Sequence, residues 1–165
     1  MPGRGSVYRV TPAMQTLMRD IARLWDGAVT GLYGAGDVGP VVAALADDVV
    51  WTELPTGAGG SGRDAVVSHL TEVAANLPGG LTRTRLSRTL DVRRVVDEVR
   101  FGFVHDRPLP WLLPGTAPTG QRTELLAVQL VRVRQGRIDE VRTLWDVAGA
   151  RTVPAEPVTG PTARP

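Results

Sequence analysis

Apolar residues recur at helical spacing near the start of the chain: Met14, Leu17, Met18, Ile21, Leu24, Trp25 and Leu32 fall along one stripe. Thr11 before Pro12 offers an N-cap and a first helical residue, and Gly34 and Gly36 stop the run. A short second helix is predicted over about 38–45, and a third over about 63–77. The third carries Val66, Val67, Leu70, Val73 and Leu77 on its apolar stripe. Ser61 and Asp64 resemble a capping box at its start, and Pro78-Gly79-Gly80 ends it. The period then changes from helical to alternating. Strands are predicted over 49–54 and about 82–93, 95–107, 121–134 and 137–146, with Gln135-Gly136 as a two-residue hairpin turn. Helices first and strands after predict an α+β fold: three N-terminal helices wrapped on a cone-shaped, curved antiparallel sheet with a central pocket.

The same alternation sorts side chains by face. Trp51 and Glu53 fall together with Val49. Val95, Val99, Phe101 and Phe103 share a face with Asp97, His105 and Arg107, and Gln129 shares one with Leu125, Ala127, Val131 and Val133. Glu53, His105, Arg107 and Gln129 are therefore expected inside the cone. A buried carboxylate is costly alone and sensible opposite an arginine, a histidine and an amide. His69 is expected at the surface or half-buried on the flank of the third helix. The arginines of "LTRTRLSRTLDVRR" are expected on a solvated strand face.

Length and composition narrow the chemistry. At 165 residues, 42% hydrophobic and 22% charged, the chain fits one ordinary globular domain. That domain is expected over 11–148, between a flexible segment 1–10 and a Pro/Thr-rich, disordered tail 149–165. There is no cysteine, so disulfides, thiol nucleophiles and thiolate metal sites are excluded. All 19 basic residues are arginine, which excludes lysine Schiff bases and a Walker-type phosphate loop. Two histidines without cysteine speak against zinc, and no metal or cofactor is expected. "GAGGSG" at 57–62 matches G-x-G-x-x-G, but Glu53 and Pro55 interrupt the preceding strand and no repeated βαβ units follow; a flexible turn is expected. A net charge of +2 with no aromatics among the arginines of 83–94 gives no reason to expect nucleic-acid binding. No apolar run is long enough for a membrane span and no secretion-type apolar stretch opens the chain, so a cytoplasmic protein is expected.

The segments "LADDVVW", "GRDAV", "PTGQR" and "RVRQGRIDEVRTLWD" resemble the SnoaL-like polyketide cyclase group of the nuclear-transport-factor-2-like superfamily. Ketosteroid isomerase, scytalone dehydratase and limonene epoxide hydrolase belong to the same superfamily. The resemblance spans about residues 12–148. It implies a cone-shaped α+β barrel with an apolar pocket, usually a homodimer through its sheet. By position, Glu53 falls where ketosteroid isomerase keeps its general base. Gln129 falls on that isomerase's oxyanion-binding acid and on the acid/base aspartate of SnoaL-type cyclases. As an amide it can only hydrogen-bond. Of the Asp-Arg-Asp relay of epoxide hydrolases, the first pair falls on His105 with Arg107, or on Arg107 with Leu109, and the second aspartate on Thr143. The water-holding tyrosine and asparagine fall on Trp51 and Glu53.

Together these readings imply a cofactor-independent acid/base enzyme of specialised metabolism, such as antibiotic biosynthesis. It would cyclise or isomerise a hydrophobic polyketide-like substrate through an enolate. Glu53 would be the base, with Gln129 and His105 or Arg107 at the oxyanion. Trp51, Phe103, Trp111, Thr143 and Trp145 would line the substrate site, and "PLPWLLPGTAP" at 108–118 would form a stiff lid or a dimer contact. An epoxide-opening enzyme and a non-catalytic small-molecule binder remain open alternatives.

Overall fold

The computed structural model describes residues 9–154. Helix α1 spans Pro12–Val29, and Thr11 caps it by accepting the Met14 N–H. A π-helical turn at Thr30–Ala35 continues it, closed by Gly36 in the left-handed conformation. Helix α2 is Gly39–Ala44 and α3 is Arg63–Ala75. The strands are β1 Leu45–Leu54, β2 Ala58–Ser61, β3 Gly79–Leu90, β4 Arg94–Val104, β5 Arg122–Arg134, β6 Arg137–Trp145 and β7 Arg151–Thr152. The main sheet runs in the order β2-β1-β6-β5-β4-β3, and β7 pairs with β5. Its pairings are antiparallel except for parallel β1–β6. Three helices on this curved, unclosed seven-stranded sheet make the expected α+β fold.

The core lies between the inner sheet face and the helices. Ile21, Trp25 and Ala28 of α1 and Val66, Leu70 and Val73 of α3 are buried against Val49, Trp51, Val95, Val99 and Phe101. Leu17, on the predicted apolar stripe, is 46% exposed, in the largely exposed first turns of α1. Arg63 ties α2 to the start of β1, donating to the Val42 and Leu45 carbonyls at 2.8 Å each. Gln135 and Gly136 both take positive φ in the β5–β6 hairpin, the geometry that matches strand twist.

Four local expectations change. Gly62, not Ser61, is the N-cap of α3, and it makes no side-chain cap bond. The glycine-rich run is not a free turn; Ala58–Ser61 pairs with β1 as a hairpin strand. The expected strand 95–107 ends at Val104. Arg151–Thr152, expected in the tail, pairs with Thr123 and Glu124 of β5. The remaining tail from residue 155 and the first eight residues lie outside the described residues.

Gly59 shows why the β1–β2 hairpin needs its glycines. At φ +125° an added Cβ would stand 1.9 Å from the Trp51 carbonyl oxygen. Gly59→Ala is expected to cost roughly 2–3 kcal/mol of stability, read by chemical denaturation. An unchanged unfolding midpoint would contradict that backbone approach.

Candidate active site

One row of inward side chains crosses the sheet. Glu53 on β1 is the register partner of Thr143 on β6, and Thr143 is that of Gln129 on β5. Gln129 pairs in turn with Asp97 on β4, and Asp97 with Arg88 on β3. The four from Glu53 to Asp97 are buried, and Arg88 is half-buried. The next row is apolar: Trp51, Val141, Val131, Val95 and Leu90.

The row has two electrostatic halves. At the Asp97 end every charge is answered. Asp97 accepts from Trp25 Nε1 at 3.1 Å, Arg83 Nη2 at 2.8 Å, and Arg88 Nε and Nη2 at 2.6 and 2.8 Å. Burial alone would push the Asp97 carboxyl up, but the bonds from Arg88 and Arg83 outweigh it and hold it below the usual carboxylate range. Arg88 also reaches Asp26 on α1, fastening helix to sheet.

At the Glu53 end, polar atoms are left free. Glu53 Oε1 lies 3.2 Å from His69 Nε2, in ion-pair range without hydrogen-bond alignment. Among the described residues, Glu53 Oε2, Thr143 Oγ1, Gln129 Nε2 and Trp51 Nε1 have no hydrogen-bond partner. An unanswered buried polar atom costs about 1–3 kcal/mol, so a group of them on one face singles out this end of the row as the candidate site.

Helical elements complete this face. α3 brings His69 to Glu53 because residues 66, 69 and 73 share a helix face, and Val66 and Val73 are buried. The π-helical turn brings in Tyr33, which packs edge-on to Phe101 at 5.2 Å and stacks on Trp111 at 6.4 Å. Burial pushes the Tyr33 hydroxyl above its ordinary pKa and Glu53 adds to the rise, while Arg83 and Gln129 oppose it. A surface cavity of about 300 Å³ reaches Tyr33 and Arg83 between the π-helical turn and β3.

The remaining candidates divide. Trp51, Phe103, Trp111 and Thr143 are buried, and Trp145 is half-buried with its indole N–H donating to the Leu112 carbonyl at 2.7 Å. The 108–118 segment folds inward, burying Leu109, Trp111, Leu112 and Leu113. His105 is buried beside Phe103, yet no hydrogen bond or ion pair joins it to Glu53 or Gln129 among the described residues. Arg107 is a correction. Its side chain is 45% exposed and pairs with Asp106, because β4 ends at Val104 and strand alternation no longer applies. Arg83 and Arg88 are a second correction, since they turn inward to Asp97 rather than to solvent. His69, expected at the surface or half-buried, is partly buried, and its approach to Glu53 is what the sequence did not predict. Tyr33 carried no sequence signal beyond its place on an apolar helix.

The profile of the SnoaL-like domain matches residues 23–141. The chain belongs to the SnoaL-like family. This SnoaL-like chain is similar to a putative SnoaL-like polyketide cyclase from Jannaschia sp. CCS1, at 18% identity over 88% of this chain and 93% of that one, with a TM-score of 0.62. It is similar to AclR, a putative hydroxylase from Streptomyces galilaeus, at 17% identity over 80% and 82%, with a TM-score of 0.63. It is also similar to an LEH-like epoxide hydrolase from M. tuberculosis, at 19% identity over 84% and 88%, with a TM-score of 0.57. No curated protein matches the chain by sequence. These likenesses establish a fold that hosts several reactions. Among the described residues no helix is long and apolar enough to cross a membrane, and no cluster of three or more metal-ligating side chains occurs.

Proposed function

We propose that this SnoaL-like chain is an acid/base enzyme of specialised metabolism, working without a cofactor. It isomerises or cyclises a hydrophobic, polyketide-like substrate through an enolate. The observation that carries this reading is the polar row, with a carboxylate oxygen free at Glu53 and an amide donor free at Gln129. The two residues stand two strands apart, about 10 Å between Cα atoms, with Thr143 between them.

Glu53 Oε2 removes a proton from the carbon next to a carbonyl, with His69 beside the other carboxylate oxygen. The electron pair moves onto the carbonyl oxygen. Gln129 Nε2 and the Tyr33 hydroxyl donate to that oxygen as its charge grows. The enolate then takes the proton back from Glu53 at another carbon, or attacks a second carbonyl to close a ring, the alkoxide so formed taking the proton that Glu53 holds. Trp51, Phe103 and Trp111 supply the apolar walls, with Trp145 at the edge. Asp97 takes no part in proton transfer, being fully engaged by Trp25, Arg83 and Arg88.

One observation favours a second reading. A Glu53–His69 pair is also suited to activating water for opening an epoxide. Isotopes separate the readings. With a panel of cyclic ketones in deuterated water, the enolate enzyme is expected to wash deuterium into the carbon next to the carbonyl. With an epoxide panel in 18O-water, the alternative instead predicts labelled diol. Tight binding with neither reaction would leave a binding protein.

An apolar patch on the outer sheet face supports a homodimer: Leu126, Val128 and Leu144 are exposed there, and Val128 and Leu144 are register partners. The protein is expected to run at twice its chain mass in light scattering at micromolar concentration, and Val128→Arg to run as a monomer. A monomeric parent protein would exclude this interface. A cytoplasmic location belongs to the same proposal.

A further inference from the structure

Gln129 is fully buried in mid-strand, and its amide is not free to turn. Its Oε1 accepts from Arg83 Nε at 2.8 Å. Arg83 is itself fixed: Nη2 donates to Asp97 Oδ2 at 2.8 Å, and the guanidinium lies 5.9 Å from the centre of the Trp25 ring. A guanidinium can donate and cannot accept. The reversed amide would set N–H against N–H beside a positive charge. Only one orientation is therefore compatible with Arg83, and it leaves Nε2 as the atom offered to the site. That Nε2 faces the Tyr33 hydroxyl and has no aligned hydrogen-bond partner among the described residues.

We infer that Arg83 is a positioning residue that makes Gln129 an obligate hydrogen-bond donor, so that the site selects ligands presenting an anionic oxygen there over the same ligands in hydroxyl form. The inference rests on the reading of Gln129 as the oxyanion donor and adds what enforces it. Arg83 need not touch the ligand. Its charge, one hydrogen bond away, polarises the amide and strengthens the N–H donors. An amide alone would be indifferent, able to turn its oxygen to a hydroxyl or its nitrogen to an oxyanion. The Arg83–Asp97 bond removes that choice.

The test uses p-nitrophenol, whose phenol and phenolate forms are told apart by absorbance, at a pH where both exist in solution. It is run in the Glu53→Gln background, where the competing carboxylate is gone and proton abstraction does not interfere. The phenolate is expected to bind in preference to the phenol. Adding Gln129→Glu keeps the partner of Arg83, now as an ion pair, but replaces the donor with an acceptor. It is expected to weaken phenolate binding roughly 10- to 100-fold, the range for hydrogen bonds to a charged group. Adding Arg83→Met instead frees the amide and is expected to abolish the preference between the two forms while phenol still binds. If Arg83→Met does not fold, Arg83→Lys serves, because one ammonium does not reproduce the forked contact with Gln129 and Asp97.

Undiminished phenolate binding in the Gln129→Glu protein, or an intact preference after loss of Arg83, overturns the inference. Its failure is distinct from failure of the enolate reading. Phenolate preference without deuterium exchange in the parent protein leaves the Arg83–Gln129 inference standing and removes the reaction. Full exchange in a Gln129→Glu single variant removes the inference and leaves Glu53 as base.

Discussion

Glu53→Gln is expected to lower turnover roughly a hundredfold or more, with ligand affinity close to that of the parent protein. The substitution keeps the size of the side chain and its polarity. It keeps an atom facing His69 and leaves Trp51, Thr143 and the apolar walls untouched. What it removes is the lone pair able to hold a proton at Oε2, the carboxylate atom without a partner among the described residues. Ground-state contacts therefore survive while the barrier to proton transfer rises. Deuterium wash-in gives the rate, and quenching of the tryptophans by bound ligand gives the affinity. Exchange at the parent rate would remove Glu53 from the chemistry and move the search to His105, another buried group able to carry a proton.

What alternation could and could not reveal follows from where the strands are regular. β1 and β5 hold a period of two through Glu53 and Gln129, so both were placed inward from the sequence alone. β3 does not hold it. Its register against β4 shifts between Arg85 and Ser87, so the extra residue reverses the alternation. Arg88, rather than Ser87, then shares the inner face with Arg83. A bulge leaves no mark in the hydrophobic pattern, and these arginines read as a solvated face. Arg107 failed for a related reason, because the chain leaves β4 at Val104 before reaching it. His69 was legible in principle. It stands three residues after Val66 and four before Val73 on the buried side of α3, but a histidine between apolar residues does not announce a carboxylate on another strand. Tyr33 was not legible, since nothing in 30–35 distinguishes a π-helical turn from a continued α-helix.

Asp97→Asn is expected to destabilise the fold by roughly 3–5 kcal/mol, the cost of breaking a buried ion pair from one side. Asp97 is 0% exposed, and the Arg83 and Arg88 side chains are only 10% and 12% exposed, so water does little to replace the lost charge. The amide keeps one acceptor and turns an N–H group toward a guanidinium. Arg88 retains Asp26, but Arg83 loses its charged partner. The effect has a pH signature of definite sign. The folded-state pKa of Asp97 is lowered, with Arg88 and Arg83 overcoming the upward push of burial. Its contribution is therefore complete above the unfolded carboxyl value of about 3.9 and is lost as pH falls through the lower folded value. Denaturant unfolding should show a constant gap between parent and variant from pH 7 to about 5, closing only in stronger acid. A gap that persisted unchanged to pH 2, or none at pH 7, would mean that the Asp97 charge does not hold this end of the row. The consequence reaches the site, because Arg83 released from Asp97 no longer fixes the Gln129 amide. In the Asn variant the preference for phenolate over phenol should fall together with stability.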